Sequence, residues 1–440
     1  MPSNVLLVDF GASRIKSALW SYQENKAILV RECLSPKPIF GKNGEVEINP
    51  EDYWNALEET AGEILKLYSE VDALWICSEM HGFLIGNEKP STNYISWRDE
   101  RVTKSNYFSN FEKISEDFFA ESAMKLRSGL PFVTLSYFNK IQKLPNKFRL
   151  FTLVDWLLWR GGEKKPAIHS SLAAGVGFFS VQDNKWSESL IKMAGFDSNQ
   201  IIFPDVVKLG KVIGTIKLAG RFVKVFGGIG DLQAAAFGAG FPKKSNLLIN
   251  LGTGSQVMAK INESELSIEK RPGVMDDGFF AITHIPSGRA LNVFANFFDE
   301  CSVLGKGESF FWNVFSSLSV EEVLNADSNI DLSVFDAAWL YKDGGSILRI
   351  KEGKFGVRSI IASIANSWLN QYKDAIDQID SKKLINDFVL SGGLSRRGEF
   401  ILPVLEKLTN RKGSFSLLKT GEETLDGLLE LSKIFENKSN

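Results

Sequence analysis

This sequence predicts an α/β protein of two domains, on three observations. At 440 residues the chain is longer than one hydrophobic core ordinarily serves. Its N-terminal part alternates apolar, strand-like runs with a capped amphipathic helix. The strand–turn unit Leu6-Leu7-Val8-Asp9-Phe10-Gly11-Ala12-Ser13 can be laid over Leu247-Leu248-Ile249-Asn250-Leu251-Gly252-Thr253-Gly254, apolar on apolar and glycine on glycine. Each copy opens a stretch of domain size. The domains are therefore expected at 1–240 and 241–440, with the boundary near Gly240-Phe241-Pro242-Lys243-Lys244, where charge and proline interrupt the apolar pattern.

Val5–Phe10 is a short apolar run that ends at the turn Gly11-Ala12-Ser13. Lys16–Ser21 and Ala27–Cys33 continue it as an antiparallel meander. Asn49 can cap a helix whose first position suits Pro50. Trp54, Leu57, Ala61, Ile64, Leu65 and Tyr68 then recur at helical spacing. The apolar run Ala73–Cys77 delivers Ser78-Glu79-Met80-His81-Gly82 to its C-terminal end, where ligands gather in open α/β sheets. Leu232–Gly240 is an alanine-rich helical stretch. Asp387–Leu390 reads as a strand that enters Ser391-Gly392-Gly393-Leu394-Ser395, with a helix from Gly398. Thr424–Phe435 is an amphipathic helix, and Glu436–Asn440 a frayed end.

Composition excludes several classes of function. A net charge of −2 offers no electrostatic case for nucleic acid or a membrane surface. No apolar run approaches the ~20 residues of a membrane span, and no secretory signal opens the chain. Cys33, Cys77 and Cys301 are scattered, which fits reduced thiols in the cytoplasm, and no Cys/His cluster has zinc spacing.

Two turns have the composition that phosphates require, backbone amides that converge without side chains in the way. They are Gly11-Ala12-Ser13 and Gly252-Thr253-Gly254-Ser255. Lys16 can neutralise a terminal phosphate, and Asp9 can hold magnesium, which favours carboxylates and keeps several waters. A third turn, Gly392-Gly393 with Ser395, offers bare backbone to a nucleotide base or ribose. Each turn taken alone also reads as an ordinary connection. Asp231 follows a glycine-rich turn and opens a helix, so it can cap that helix or take a proton from an alcohol. His81 is either a core histidine or a ligand-binding one. Trp97 can cover the apolar side of a sugar, while Asp99 and Arg101 can bind hydroxyls.

Taken in order, these segments resemble the FGGY family of carbohydrate kinases. Asp9-Phe10-Gly11-Ala12-Ser13-Arg14-Ile15-Lys16 is similar to the family's opening Asp-x-Gly-Thr-Ser-x-x-Lys, and Glu79-Met80-His81-Gly82 to its Gln-Met-His-Gly. Trp97, Asp99 and Arg101 match Trp-x-Asp-x-Arg, and Gly230-Asp231-Leu232-Gln233 matches Gly-Asp-x-Gln. Gly252-Thr253 and Gly392-Gly393-Leu394-Ser395 resemble the second phosphate turn and the adenosine segment. The resemblance implies an α/β fold of two ribonuclease H-like (actin-like ATPase) domains flanking a central cleft, with sugar mainly on the first and ATP on the second. It implies Asp231 as general base. Glu79, Met80, His81, Trp97, Asp99, Arg101 and Gln233 would contact sugar. Gly11, Ala12, Ser13, Lys16, Gly252, Thr253, Gly392, Gly393 and Ser395 would contact ATP, and Asp9 the Mg²⁺.

Four features depart from the family pattern. Ala12 stands where threonine is usual, Glu79 where glutamine is, Gly254-Ser255 reverses the commoner order after Gly252-Thr253, and the second domain is short. The expected acceptor is a ketose, either D-xylulose or a heptulose such as sedoheptulose. Another polyol or sugar acid, or a catalytically weak actin-like nucleotide sensor, are the alternatives. Sugar and ATP are the expected partners, and a homodimer the one assembly the reading admits.

Overall fold

The computed structural model describes residues 4–436 except 88, 253, 263–267, 276, 302–309, 336–337 and 342. The chain divides into two compact units. The first comprises 1–238, 270–278 and 418–440, and the second 239–269 and 279–417.

In the first unit, β1 (Asn4–Phe10), β2 (Arg14–Ser21) and β3 (Lys26–Leu34) form the expected meander. The capped helix follows as α1 (Pro50–Leu57), with Asn49 Oδ1 accepting from the Glu51 amide at 3.3 Å. A π-turn over Glu58–Gly62 extends it into Glu63–Leu67, so the apolar stripe continues but is locally under-wound. β4 (Val71–Ser78) pairs parallel with β1. β5 (Gly214–Leu218) and β6 (Arg221–Gly230) complete a six-stranded sheet of order β5-β6-β4-β1-β2-β3. The helix α2 (Asp231–Gly238) leaves the end of β6.

Both faces of this sheet are covered, which is why its strands are apolar throughout rather than alternating. Leu6, Val8 and Phe10 join the large core that holds α1. Val5 and Leu7 point the other way, into a cluster with Ala234 and Phe237 of α2 and with Leu425, Leu428 and Leu429 of the C-terminal helix Glu423–Glu436. The two helices touch at glycine. A Cβ on Gly427 would lie 2.7 Å from the Ala234 carbonyl carbon, and one on Gly238 would lie 2.7 Å from the Gly427 nitrogen.

The second unit repeats the plan. β7 (Leu247–Asn250), β8 (Gly254–Ala259) and β9 (Gly278–Pro286) are antiparallel neighbours. After α3 (Val357–Ile379), β10 (Asp387–Ser391) lies parallel to β7. After α4 (Ile401–Thr409), β11 (Lys412–Phe415) lies parallel to β10. The helix expected from Gly398 thus begins at Ile401. In each unit a strand has its hairpin partner on one side and a parallel strand on the other, followed by a further parallel strand. This is the ribonuclease H-like order. Asp9 and Asn250, equated by the sequence, occupy matching places on the central strands β1 and β7. No described helix is long and apolar enough to cross a membrane.

Candidate active site

The site in the first unit is built on three adjacent parallel strands. Asp9 of β1 and Ile229 of β6 both register with Cys77 of β4, and Gly230 registers with Ser78. The C-terminal ends of these strands therefore bring Asp9, the segment from Glu79, and Asp231 to one edge.

Asp231 is the first residue of α2, and its Oδ1 accepts from the Leu232 amide at 2.8 Å. It caps its own helix. Burial, reinforced by the nearby carboxylates of Asp9 and then Glu79, pushes its carboxyl up to about 7. The side chain is only partly enclosed. A carboxylate poised near neutrality and open on one side has the properties of a general base.

Asp9 is almost fully enclosed. Thr424 donates to its Oδ2 at 2.6 Å and the Cys77 thiol to its Oδ1 at 3.4 Å. Burial raises its pKa despite these donors and Lys16. Lys16 itself is ion-paired with Glu422 at 2.5 Å. Between β1 and β2, Ala12 and Ser13 are exposed, and Ser35 holds the carbonyl side of the turn. Its hydroxyl donates to Gly11 at 2.6 Å and its amide to Ser13 at 3.1 Å.

His81 adopts a left-handed backbone, φ 69°, which turns its ring toward α-helical Gly175, whose carbonyl lies 2.8 Å from Nδ1. A carbonyl only accepts, so Nδ1 carries the proton and Nε2 is the acceptor of the neutral ring. Gly82 is required here, because a Cβ would overlap the Tyr94 hydroxyl. Met80 covers Gly230, where a Cβ would sit 2.8 Å from Met80 Cγ. Glu79 is buried and accepts from Tyr94 at 3.1 Å, Tyr53 at 3.3 Å and Trp97 Nε1 at 3.1 Å. Burial raises its pKa. The Trp97 ring, tethered by that bond, remains 41% exposed.

The other candidates turn elsewhere. Asp99 is 1% exposed and is gripped by Arg101 at 2.8 and 2.7 Å and by the Val46 amide at 2.8 Å. Arg101 also reaches Glu47 at 2.6 Å. These two side chains fasten their segment to the strand Val46–Ile48. Gln233 is buried, and its Nε2 donates to the Pro272 carbonyl at 3.1 Å.

Residues 4–238 match the FGGY family of carbohydrate kinases, N-terminal domain. The chain belongs to the FGGY family. It is 26% identical over 294 residues to a glycerol kinase of Alteromonas mediterranea, covering 62% of this chain and 58% of that protein. The match thus spans less than two thirds of the length of that relative, and of a second glycerol kinase from Mycoplasma mycoides. A gluconate kinase and a ligand-bound xylulose kinase, both from Lactobacillus acidophilus, superpose with TM-scores of 0.82 at 15% identity, over 99% of this chain and 90% of theirs. The fold is therefore the actin-like one of FGGY kinases.

The second unit of this FGGY protein gathers its own candidates. Gly252 donates its amide to Ser255 Oγ at 3.1 Å and accepts from the Gly288 amide at 3.2 Å. Gly392, at φ 88°, lies so close to the preceding turn that a Cβ would come within 2.6 Å of Leu251 backbone. Gly393 faces open space, while Ser395 is buried and its amide donates to Gly392 at 3.0 Å. Thr253 lies outside the described residues, as do 437–440.

Sequence reasoning missed Thr424, Glu422, Tyr53 and Tyr94. Thr424 lies 415 positions from Asp9, and no local pattern marks so remote a partner. The two tyrosines belong to none of the motifs that the sequence singles out.

Proposed function

We propose that the protein is an ATP-dependent kinase that transfers the γ-phosphoryl group to a hydroxyl of a sugar or polyol, with Asp231 as general base. One observation carries the reading. A carboxyl raised to about 7 stands at the strand edge shared with Asp9 and the Glu79–Gly82 segment, within a chain of the FGGY family.

Asp231 receives the acceptor's proton as its oxygen forms the new bond to phosphorus and the bond to ADP breaks. His81 and the exposed Trp97 face supply sugar contacts, and Glu79, fixed by three donors, sets the tryptophan's orientation. Glu79 also disfavours an acceptor that carries a carboxylate. Among the described residues no group of three or more His, Cys, Asp or Glu side chains is placed to hold a metal. A single buried carboxylate nevertheless fits magnesium, which takes one or two carboxylates and fills its shell with water and phosphate oxygens. Asp9 would hold it, and the ion would neutralise charge on the phosphates. The second unit would bind ATP through Gly252, Thr253, Gly392, Gly393 and Ser395. Lys16 would meet the terminal phosphate, leaving Glu422.

Within this class we infer a ketose acceptor, because Met80-His81-Gly82 carries the xylulokinase-type pattern. The test is acceptor-dependent ADP release across D-xylulose, sedoheptulose, glycerol and gluconate, with product analysis. Highest turnover on a ketose supports the assignment. Highest turnover on glycerol replaces ketose by polyol, and no acceptor-dependent release from any of them refutes the kinase.

A further inference from the structure

The first unit contains a cavity of about 860 Å³ that the proposed chemistry does not use. It falls within the roughly 300–1,000 Å³ typical of small-molecule sites. Its wall is charged unequally. Lys89, Arg101, Lys143 and Arg160 line it, against Glu47 and Glu51. Both acids are already engaged, Glu47 by Arg101 at 2.6 Å and Glu51 by Arg160 at 2.9 Å. Lys89 and Lys143 have no ion-pair partner among the described residues. Ile85, Phe138 and Trp159 supply an apolar floor. The two lysines add positive charge to a wall whose acids are already engaged by arginines, and an oxyanion would complement it.

The same wall reaches the sugar side. In the strand Tyr94–Ile95, successive side chains point to opposite faces. Asn93, Ile95 and Arg101 line the cavity, while Tyr94 and Trp97, from the same segment, donate to Glu79. Asn93 also donates to Glu47 at 3.0 Å, so a ligand that displaces Glu47 from Arg101 loosens the register of this segment.

We propose that this cavity binds a small organic anion, bearing phosphate or carboxylate groups on a partly apolar body. Its occupancy adjusts sugar affinity through Asn93–Arg101. Only that second statement rests on the kinase reading.

The experiment is calorimetric titration of the full chain with citrate and, separately, with inorganic phosphate, at fixed ionic strength. Saturable one-to-one binding of either probe is expected. It should weaken at least tenfold in the double variant Lys89→Gln/Lys143→Gln and persist in Lys16→Gln. Both cavity lysines are exposed, so the double variant keeps its fold. Absence of saturable binding by both probes overturns the site. So does undiminished binding in the double variant, or its loss in Lys16→Gln, which would place the anion at the Asp9 turn. In the coupled assay, the binding probe should shift the sugar KM at least twofold in the native protein and not in the double variant. An unchanged native KM overturns the coupling. Anion binding without acceptor-dependent ADP release keeps the site and removes the kinase.

Discussion

The two units put opposite chemistry at matching strand ends. In the first, the central strand ends in Asp9, its parallel neighbour runs into Glu79, and the next strand runs into Asp231. In the second, those places hold Asn250, the pair Gly392-Gly393 and Ser416. Asp9 accepts from a thiol and a hydroxyl, whereas Asn250 donates its amide to Ser391 Oγ at 3.2 Å. On the proposed function, one strand order would serve two purposes. Clustered carboxylates raise each other's proton affinity, which suits taking a proton from an alcohol. Neutral amides and bare glycine suit a polyanion, which carboxylates would repel. The difference between the units lies in side chains at strand ends, not in the strand order.

The largest test removes one of the first unit's three strand-end carboxylates. Asp231→Asn should lower kcat by about 10²–10⁴, the range for a lost general base, with the circular dichroism spectrum unchanged. An active variant would mean that the carboxyl only caps its helix.

Exchanging the central residues is next. Asp9→Asn should raise the magnesium concentration needed for half-maximal rate. Asn250→Asp should instead raise the KM for ATP several-fold, leaving the sugar KM unchanged. The same response from both would erase the contrast between the units.

The pH dependence is smaller. Because Asp231 titrates near 7, kcat/KM should rise with pH through that value. Stability should move the other way. A carboxyl raised from 3.8 to about 7 favours the folded state below pH 4, and that contribution is lost as pH climbs through 7. The melting temperature of Asp231→Asn should therefore exceed that of the native protein by a margin that grows from pH 4 to pH 8. Asp155, which burial also raises to about 7, is common to both proteins and cancels.

The smallest expected effect is that of Thr424→Val. Loss of one hydrogen bond to Asp9 should cost about 0.5–1.5 kcal/mol in denaturant unfolding and further raise the Asp9 pKa. No change in stability would make the Thr424 contact incidental.

Much of this arrangement is legible in the sequence because it is local. The strand–turn repeat, the Asn49-Pro50 helix start and the aspartate at the head of α2 each show within a few residues. Partnerships across the chain do not. Asp99 and Arg101 look like hydroxyl binders in one dimension; in the fold they also grip one another, because burying a carboxylate demands a partner and Arg101, not the adjacent Arg98, supplies it. Gln233 looks like part of a motif, yet it serves the backbone at Pro272. The membership of 270–278 and 418–440 in the first unit depends on packing against α2 and β1 that periodicity does not encode.

The bond between Asp9 and Thr424 makes a strand-end carboxylate depend on a remote helix. The two residues lie 415 positions apart, and the hydroxyl donor rides on a helix that packs closely through Gly427. A bulkier residue at 427 would therefore strip Asp9 of its hydroxyl donor from a distance, leaving the Cys77 thiol on its other oxygen.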